Sequence, residues 1–576
     1  MRPLALVVFL TGTLLLLLHL GRADIRGGEE GRHAVMARNA ARHASQLLNP
    51  SPEPAGAPGR TPFLYPAVAA AFLRLPGPAE GALRLPSSLA VLAAAAALGL
   101  LAARGAPLAG VTAMGLFLLS PLALIAGRLA TPDAAATLFA VLGFASSVTA
   151  ARSGNRPGLA LSGVLLGLSF LCRPWVCLPA VAGSLVAPAA APHGRHDRPE
   201  RRLLTLAAAF ALTAGSHWIL VSLFSPLTWN HWVDALTAPL ITRPVGASWP
   251  NDAHLELWAT LAPALPLIAL GLLAHLRDPF EPLHLATMAW AAASLVARPV
   301  PMDGPGALMF LPAWCLVGAA GAVELSRWAT VEQWRYPWSA RIGIAALVAA
   351  AGAAFIPVFA PALRPLGGPL AVGLDLAGWA ALLWLIAGRY ATQPLKLAAA
   401  ATGLLTVLGA QAIVTLPLLH RAESRSAYRE AGALLATTVQ GAALDAVAFV
   451  APDPEALAFY VYRRGVSWAP GGRIMDPGAF LDLADGRHAR AYVVPAGPAP
   501  AREGAEPPSG MIEWLATNKA ERTAELGGLL GSPPPCRVFV NGAPNVPPMG
   551  PARPPGVPER KAIIHPEPQP RRYRRL

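Results

Sequence analysis

The sequence predicts a polytopic α-helical membrane protein that carries a small extracytoplasmic α/β domain near its C-terminus. Only 14% of the 576 residues are charged and 54% are hydrophobic, whereas an ordinary soluble domain has roughly 25% charged residues. The mean hydropathy is +0.46. The apolar residues come in blocks of about 18 or more, which is the length that crosses a bilayer. Together these features exclude a single soluble globular domain.

About thirteen apolar blocks satisfy the rule of roughly 20 residues for a membrane helix. The first block follows Met1 and lacks a small-x-small cleavage site, so it is interpreted as an uncleaved span and not as a secretory signal. The predicted spans fall near residues 3–20, 84–103, 107–126, 133–151, 157–172, 174–190, 203–224, 256–276, 283–298, 307–325, 342–361, 369–388 and 397–418.

Orientation follows from the arginines, which gather in alternate short loops and so favour a cytoplasmic N-terminus. An odd number of spans then places everything beyond about residue 420 outside. We therefore predict a transmembrane domain over 1–420 in the inner (plasma) membrane, an outer α/β domain over 421–530, and a disordered Pro/Arg-rich tail over 531–576. Strands are expected at 446–450, 491–494 and 537–540, and helices at 426–438 and 455–462.

The formal net charge is +14. In a soluble protein such a charge would suggest nucleic acid, but here the arginines lie between apolar blocks, so membrane lipid phosphate is the expected partner. The spacing of the four cysteines predicts neither a zinc site nor a disulfide framework.

The first outer loop, residues 21–83, breaks the charge rule because it keeps many arginines outside. Either an anionic ligand or lipid headgroups would explain them. Its stretch 29–48 predicts an amphipathic helix that lies on the membrane plane with an Arg/His face, and 62–75 predicts a second short helix. The arginines are Arg22, Arg26, Arg32, Arg38, Arg42, Arg60 and Arg74.

The start of that helix, Glu29-Glu30-Gly31-Arg32-His33-Ala34, is the first candidate site. A carboxylate there would serve as a general base on an acceptor hydroxyl or amine, and Arg32 would bind a phosphate. The alternative is a solvated helix N-terminus, where acidic residues are favoured by the helix dipole.

Three further positions combine a cation with the outer end of a span or helix. Arg128 and Asp133 flank the start of the fourth span, as a cap pair or as site groups. Arg60 precedes a Pro-started helix, as a phosphate ligand or a loop cation. Arg173 sits within apolar sequence, where it either faces a cavity or snorkels to the interface.

In their order along the chain, these motifs resemble the polyprenyl-phosphate-sugar-dependent glycosyltransferases of the GT-C fold, the superfamily of dolichyl-phosphate-mannose protein mannosyltransferases and lipid A aminoarabinose transferases. The family's Asp-Glu-x-Arg-Tyr-Ala corresponds to residues 29–34 and its Glu-Lys-Pro-Pro-Leu-x-Tyr to 59–65. Its Arg-x-Ala-Thr-Pro-Asp matches 128–133, and its Leu-Thr-Lys-Gly-Pro corresponds to 171–174. The motif resemblance covers residues 24–180, and the remainder is similar in architecture only.

The resemblance implies inverting transfer of a sugar from a polyprenyl-phosphate carrier to an extracytoplasmic lipid, glycan or protein. By position, Glu29 stands where the family has its catalytic Asp, and Asp133 is the second acidic site residue. Arg32 and Arg60 are the implied phosphate ligands. The implied substrate-binding set is Glu30, Arg32, Arg60, Tyr65, Arg128 and Arg173.

Two departures from the family pattern bear on activity. Glu29 is one methylene longer than Asp, and a positional error near 1 Å costs about 100-fold in rate. Gly59 stands where some members have a metal-binding Glu, so no metal or other cofactor is expected. Two alternatives therefore remain: an inactive relative that binds lipid-linked sugar, and a transporter or flippase.

Overall fold

The fold is given by a computed structural model. It describes residues 2–22, 24–25, 29–42, 64–174, 176–190, 199–224, 257, 260–261, 264–278, 281–296 and 306–330, together with Phe459 and five short strands between 447 and 540. The chain forms two compact units: residues 1–433 with 455–465, and residues 434–454 with 466–576.

The first unit is helical throughout its described part. Its helices are α1 (Arg2–Leu17), α2 (Glu29–Arg42), α3 (Leu64–Phe72), α4 (Ala79–Ala103), α5 (Pro107–Leu118), α6 (Pro121–Gly127), α7 (Asp133–Ser153), α8 (Arg156–Cys172), α9 (Leu178–Ala190), α10 (Pro199–Phe224), α11 (Leu265–Arg277), α12 (Pro282–Val296) and α13 (Leu311–Thr330), with a 3₁₀ turn at Gly306–Met309.

Helices lie in each of the first ten predicted spans, and the protein is a polytopic helical membrane protein. By length and composition, three of the described helices are sufficient to cross a bilayer, or four if α5 and α6 together form one span. The last three predicted spans, 342–361, 369–388 and 397–418, lie outside the described residues. The total of about thirteen therefore stays a prediction.

The span predicted at 107–126 is not one straight helix. The chain bends by 61° between α5 and α6. Pro121 begins α6 and has no backbone N–H to continue the helix before it. Ser120 caps the new helix, because its Oγ accepts a hydrogen bond from the Ala123 N–H at 3.2 Å. The apolar pattern of the block hid this break.

Glycines allow several of these helices to approach closely, as small residues do in membrane proteins. A Cβ atom at Gly321 of α13 would collide with the Leu267 carbonyl of α11, and one at Gly271 of α11 would collide with the Val317 carbonyl of α13. Helices α8 and α10 meet in the same way at Gly167, where a Cβ would lie 2.5 Å from the Thr213 Cβ.

The first outer loop contains the two predicted helices. Helix α2 is described from Glu29 to Arg42, and residues 43–63 lie outside the described part. Two members of its Arg/His face are buried, since His33 is 1% exposed and Arg38 is 6% exposed. Arg38 donates a hydrogen bond to the Phe459 carbonyl at 2.9 Å. The polar face of α2 is thus directed into the protein.

The second unit contains a five-stranded sheet in the order β2-β1-β3-β5-β4. Its strands are β1 (Val447–Val450), β2 (Ile474–Met475), β3 (Ala491–Pro495), β4 (Ala520–Glu521) and β5 (Cys536–Val540). Strand β1 is parallel to β2 and β3, whereas β5 is antiparallel to β3 and β4.

Strands β1, β3 and β5 lie where the sequence predicts strands. Strand β5 lies inside 531–576, so the sheet continues beyond the domain boundary predicted at 530. Of the predicted helices at 426–438 and 455–462, only Phe459 is described. The complete α/β domain and its outer location therefore stay predictions.

We expect Gly321→Ala to destabilise the protein, because the added methyl group would separate α11 from α13. Overpacking of this kind costs about 1–3 kcal/mol. The matched control is Gly215→Ala in α10, where a Cβ meets no atom within 4 Å and the higher helix propensity of Ala should be neutral or stabilising. Thermal melting in detergent measures both variants, and equal melting temperatures would contradict this packing.

Candidate active site

The candidate site forms where the beginnings of α2 and α7 meet the end of α8. Glu29 begins α2 and Asp133 begins α7. Arg173 follows the last residue of α8 and has extended backbone dihedrals, φ −148° and ψ 94°. Pro174 explains this conformation, because a proline disfavours helical geometry in the residue before it. Helix α8 therefore stops at a position that presents Arg173 to both carboxylates.

One guanidinium serves two acidic side chains in this site. Arg173 Nη1 donates to Glu29 Oε1, and Arg173 Nε lies 3.3 Å from Asp133 Oδ1. Asp133 is completely buried, while Arg173 and Glu29 are about one-tenth exposed. A buried carboxylate is costly unless it is paired. Here one guanidinium faces two carboxyl groups.

The pKa of Glu29 reflects this environment. Burial raises the pKa of the carboxyl group, but the guanidinium of Arg173 and the nearby His33 oppose it and lower the pKa to about 2. Glu29 is therefore ionised throughout the physiological range. In this state its carboxylate is engaged with Arg173 and is a weak base.

Several polar atoms around this cluster have no hydrogen-bond partner within the part of the chain that the structure describes. Buried polar groups normally find partners, so a group of unpaired atoms is typical of a site that receives a ligand. The atoms are Glu29 Oε2, Arg32 Nε, both ring nitrogens of His33, Thr131 Oγ1 and both carboxylate oxygens of Asp133.

Glu30 points away from this cluster into a buried ion pair. Its Oε1 accepts from Arg84 Nε at 2.7 Å and from the Ala130 N–H at 3.1 Å, and its Oε2 accepts from Arg84 Nη2 at 3.2 Å. Arg84 also donates to the carbonyls of Leu20 and Asp24. The pair thus joins the first outer loop to α4 and to the segment before α7.

Arg128 is also held by protein groups. Its Nη1 donates to the carbonyls of Leu15, Leu16 and Leu18 at 2.8–3.3 Å. These carbonyls belong to the C-terminal end of α1, where cations are favoured by the helix dipole. Arg128 therefore anchors the first helix beside the segment that leads to Asp133.

Tyr65 lies at the edge of the same cluster. Its hydroxyl is 2.9 Å from Ser87 Oγ, and its ring meets the His33 ring edge-on with centroids 5.6 Å apart. Burial raises the pKa of Tyr65, so the phenol keeps its proton. Of the predicted substrate-binding residues, Arg60 lies outside the described residues, as does Gly59.

Comparisons with known proteins agree with this architecture. The family described as dolichyl-phosphate-mannose-protein mannosyltransferase matches residues 60–220. The crystal structure of ArnT from Cupriavidus metallidurans bound to undecaprenyl phosphate matches with a TM-score of 0.62 at 18% identity, covering 94% of this chain and 99% of that one. The chain therefore shares the fold of ArnT over most of its length.

The apo structure of the same ArnT has a TM-score of 0.61, again at 18% identity and with the same coverage. At this identity the likeness is one of fold. No curated protein matches the sequence. The comparisons thus show the fold, and the residues at the site must supply any conclusion about function.

No role was predicted for His33 or Arg84, although His33 lies in the family-like motif at 29–34. His33 stands where the family motif has Tyr, and this difference could have identified His33 as a candidate site residue. Arg84 lies in a mostly apolar helix beside Pro86, and a charge at such a position usually has a partner. Its partner, Glu30, is 54 residues away, so spacing did not reveal the pair.

We expect Arg84→Met to destabilise the fold strongly, because it leaves the Glu30 carboxylate buried without its cation. Removal of one member of a buried pair costs roughly 3–5 kcal/mol. The control is Arg327→Met, since Arg327 is 73% exposed beside Glu324 and a surface pair contributes at most about 1 kcal/mol. Similar melting temperatures for the two variants in detergent would contradict a stabilising role of the Arg84–Glu30 pair.

We expect the Glu29 carboxylate to remain ionised well below the usual carboxyl pKa of 4.5. Its folded-state pKa is lower than its unfolded value, so its ionised form stabilises the fold above about pH 4.5 and this contribution is lost as the pH falls toward about 2. The infrared difference between wild type and Glu29→Gln should show a carboxylate band at about pH 4.

The same titration in the Arg173→Met variant tests whether Arg173 lowers the pKa of Glu29. Without the guanidinium, burial acts with less opposition, so the Glu29 band should convert to the protonated form at higher pH than in the parent protein. An unchanged titration in Arg173→Met would show that Arg173 does not set the ionisation of Glu29.

Proposed function

We propose that this protein is an integral membrane glycosyltransferase that moves a sugar from a polyprenyl-phosphate carrier to an extracytoplasmic lipid, glycan or protein by inverting transfer. The observation that carries the proposal is the buried arrangement of Glu29 and Asp133 around Arg173. It combines a candidate base, a second carboxylate and a cation within one cluster.

The unpaired groups of the cluster suit the leaving group of such a reaction. A polyprenyl phosphate carries negative charge that increases as the sugar departs, and preorganised cations stabilise that charge best. Arg32 Nε has no hydrogen-bond partner among the described residues, and Arg173 offers a guanidinium. In the proposal these two arginines, with Arg60 from the outer loop, bind the phosphate.

Phosphate binding would also change Glu29. In the proposal the incoming phosphate competes with Glu29 for Arg173, because guanidinium binds phosphate as well as carboxylate. Once Arg173 turns toward phosphate, Glu29 loses its strongest partner and becomes a better base. Glu29 then takes the acceptor proton while the acceptor attacks the anomeric carbon and the bond to phosphate breaks.

We assign a positioning role to Glu30, Arg128 and Tyr65. Their described polar contacts go to Arg84 and Ala130, to the end of α1, and to Ser87, respectively. These contacts favour positioning of the first outer loop and of Asp133 over direct contact with the donor. The implied substrate-binding set thus narrows to Arg32, Arg60 and Arg173.

The setting of the reaction is also proposed. The ArnT structure was solved with undecaprenyl phosphate, and a similar carrier is the donor we expect here. The arginine distribution supports an N-terminus inside the cell and an outer C-terminal unit in an inner (plasma) membrane protein. The candidate site then opens to the outer face.

We expect purified protein in detergent to release polyprenyl phosphate from at least one member of a panel of short-chain polyprenyl phosphate sugars, given membrane lipid extract and peptides as acceptors. Glu29→Gln and Asp133→Asn should each reduce release by about 100-fold or more, the range for loss of a general base. Glu281→Gln is the control, because Glu281 pairs with Arg152 at the other end of α7.

The outcomes separate the alternatives. Release that neither substitution changes would refute the site assignment. Donor binding without release, weakened by Arg32→Met, would favour the inactive relative, for which the Glu29 departure from Asp provides a reason. If the protein bound no donor at all, the glycosyltransferase proposal would be refuted and a transporter would be favoured.

A further inference from the structure

His33 is a member of the cluster that stands where the family motif has Tyr. It lies on α2, one turn after Glu29, so the two side chains share a helix face. His33 Nε2 is 3.7 Å from Glu29 Oε1. His33 is 1% exposed, and neither ring nitrogen has a hydrogen-bond partner among the residues that the structure describes.

A buried imidazole with both nitrogens unpaired is unusual, because such groups normally find partners. Packing alone would be served better by an apolar or aromatic side chain. Unlike Tyr, which donates one proton and keeps it, a neutral imidazole accepts a proton at one nitrogen. This chain therefore has a potential base beside Glu29, where the family motif has a hydrogen-bond donor.

Both acidic residues of the site lie near His33. Glu29 faces it from the same helix and Asp133 from the start of α7, while the ring of Tyr65 meets the imidazole edge-on. Both carboxyl groups also contact Arg173. His33 is therefore within reach of the residue that we propose as the base.

From this geometry we propose that His33 is the final acceptor of the proton that leaves the attacking acceptor group, with Glu29 as the relay. The proposal rests on the glycosyl transfer proposed above and adds a catalytic residue to it. The acceptor O–H or N–H proton passes to Glu29 and then to His33 Nε2, while the new bond to the anomeric carbon forms and the departing phosphate keeps the electron pair. The imidazolium later returns its proton to solvent.

Glu29 needs such a partner. Its low pKa in the paired state means that it holds a proton only briefly. The present Glu29–His33 separation is longer than a hydrogen bond, as is common before substrate binds. Release of Glu29 from Arg173 by the donor phosphate would let the carboxylate turn toward His33 Nε2.

The test is the pH dependence of polyprenyl phosphate release, at saturating donor, for wild type and His33→Gln. A proton that His33 takes from solvent at acidic pH would block the relay, so the wild-type rate should fall as the pH is lowered, which is the acid limb of the pH profile. His33→Gln should lose about 100-fold in maximal rate, as for loss of a general base, and should lose this acid limb. Its donor dissociation constant should stay within about threefold of wild type.

The matched control is His284→Gln. His284 lies next to Glu281, which pairs with Arg152, and Arg152 is separated from Asp133 by nearly the whole of α7, about 28 Å at 1.5 Å per residue. His284→Gln should keep the wild-type rate and acid limb. If His33→Gln is poorly folded, His33→Tyr replaces it. A phenol accepts no proton in this range, so this variant should also be slow and lack the acid limb.

Each result decides the matter. A slow His33 variant without the acid limb and with normal donor binding supports the relay. A variant that keeps the wild-type rate and acid limb overturns it while leaving glycosyl transfer by Glu29 intact. Parallel loss of donor binding and rate would assign His33 to packing and also overturn the relay. Failure of wild type to release polyprenyl phosphate from any donor would overturn the proposed function itself.

Discussion

The contact of Arg173 with two carboxylates is the constraint on which the site depends. Glu29 and Asp133 come from helices that are distant in sequence, and each is too deeply buried to be tolerated as an isolated anion. One guanidinium joins them at the point where Pro174 ends α8. Because two carboxyl groups share one guanidinium, a phosphate that bound Arg173 would change the surroundings of both.

A second ion pair supports the first one without taking part in it. Arg84 and Glu30 hold the start of α2 against α4, and Arg128 holds the end of α1. These contacts determine where Glu29 and His33 lie on the first turn of α2. The neighbouring acidic residues Glu29 and Glu30 therefore differ in their contacts. Glu30 accepts hydrogen bonds from Arg84 and from the Ala130 N–H, whereas Glu29 Oε2 has no hydrogen-bond partner among the described residues.

The sequence predicted the helical membrane fold well, because long apolar blocks have few other solutions. The motif resemblance also brought Glu29, Asp133 and Arg173 into one site. The break at Ser120 and Pro121 was missed because hydropathy does not register a bend. The burial of His33 and Arg38 on α2 was not predicted, because a partner such as Phe459 for Arg38 lies hundreds of residues away. Long-range pairing of this kind leaves no local pattern.

The separation of Arg173 from Glu29 by 144 residues also has a consequence for biogenesis. At translation rates of about 5–20 residues per second, Glu29 emerges roughly 7–30 s before the guanidinium that will neutralise it. During that interval its carboxylate can stay in water outside the bilayer, because it begins a loop helix and not a span. The pairing of Glu29 with Arg173 can therefore form only after α8 has been synthesised.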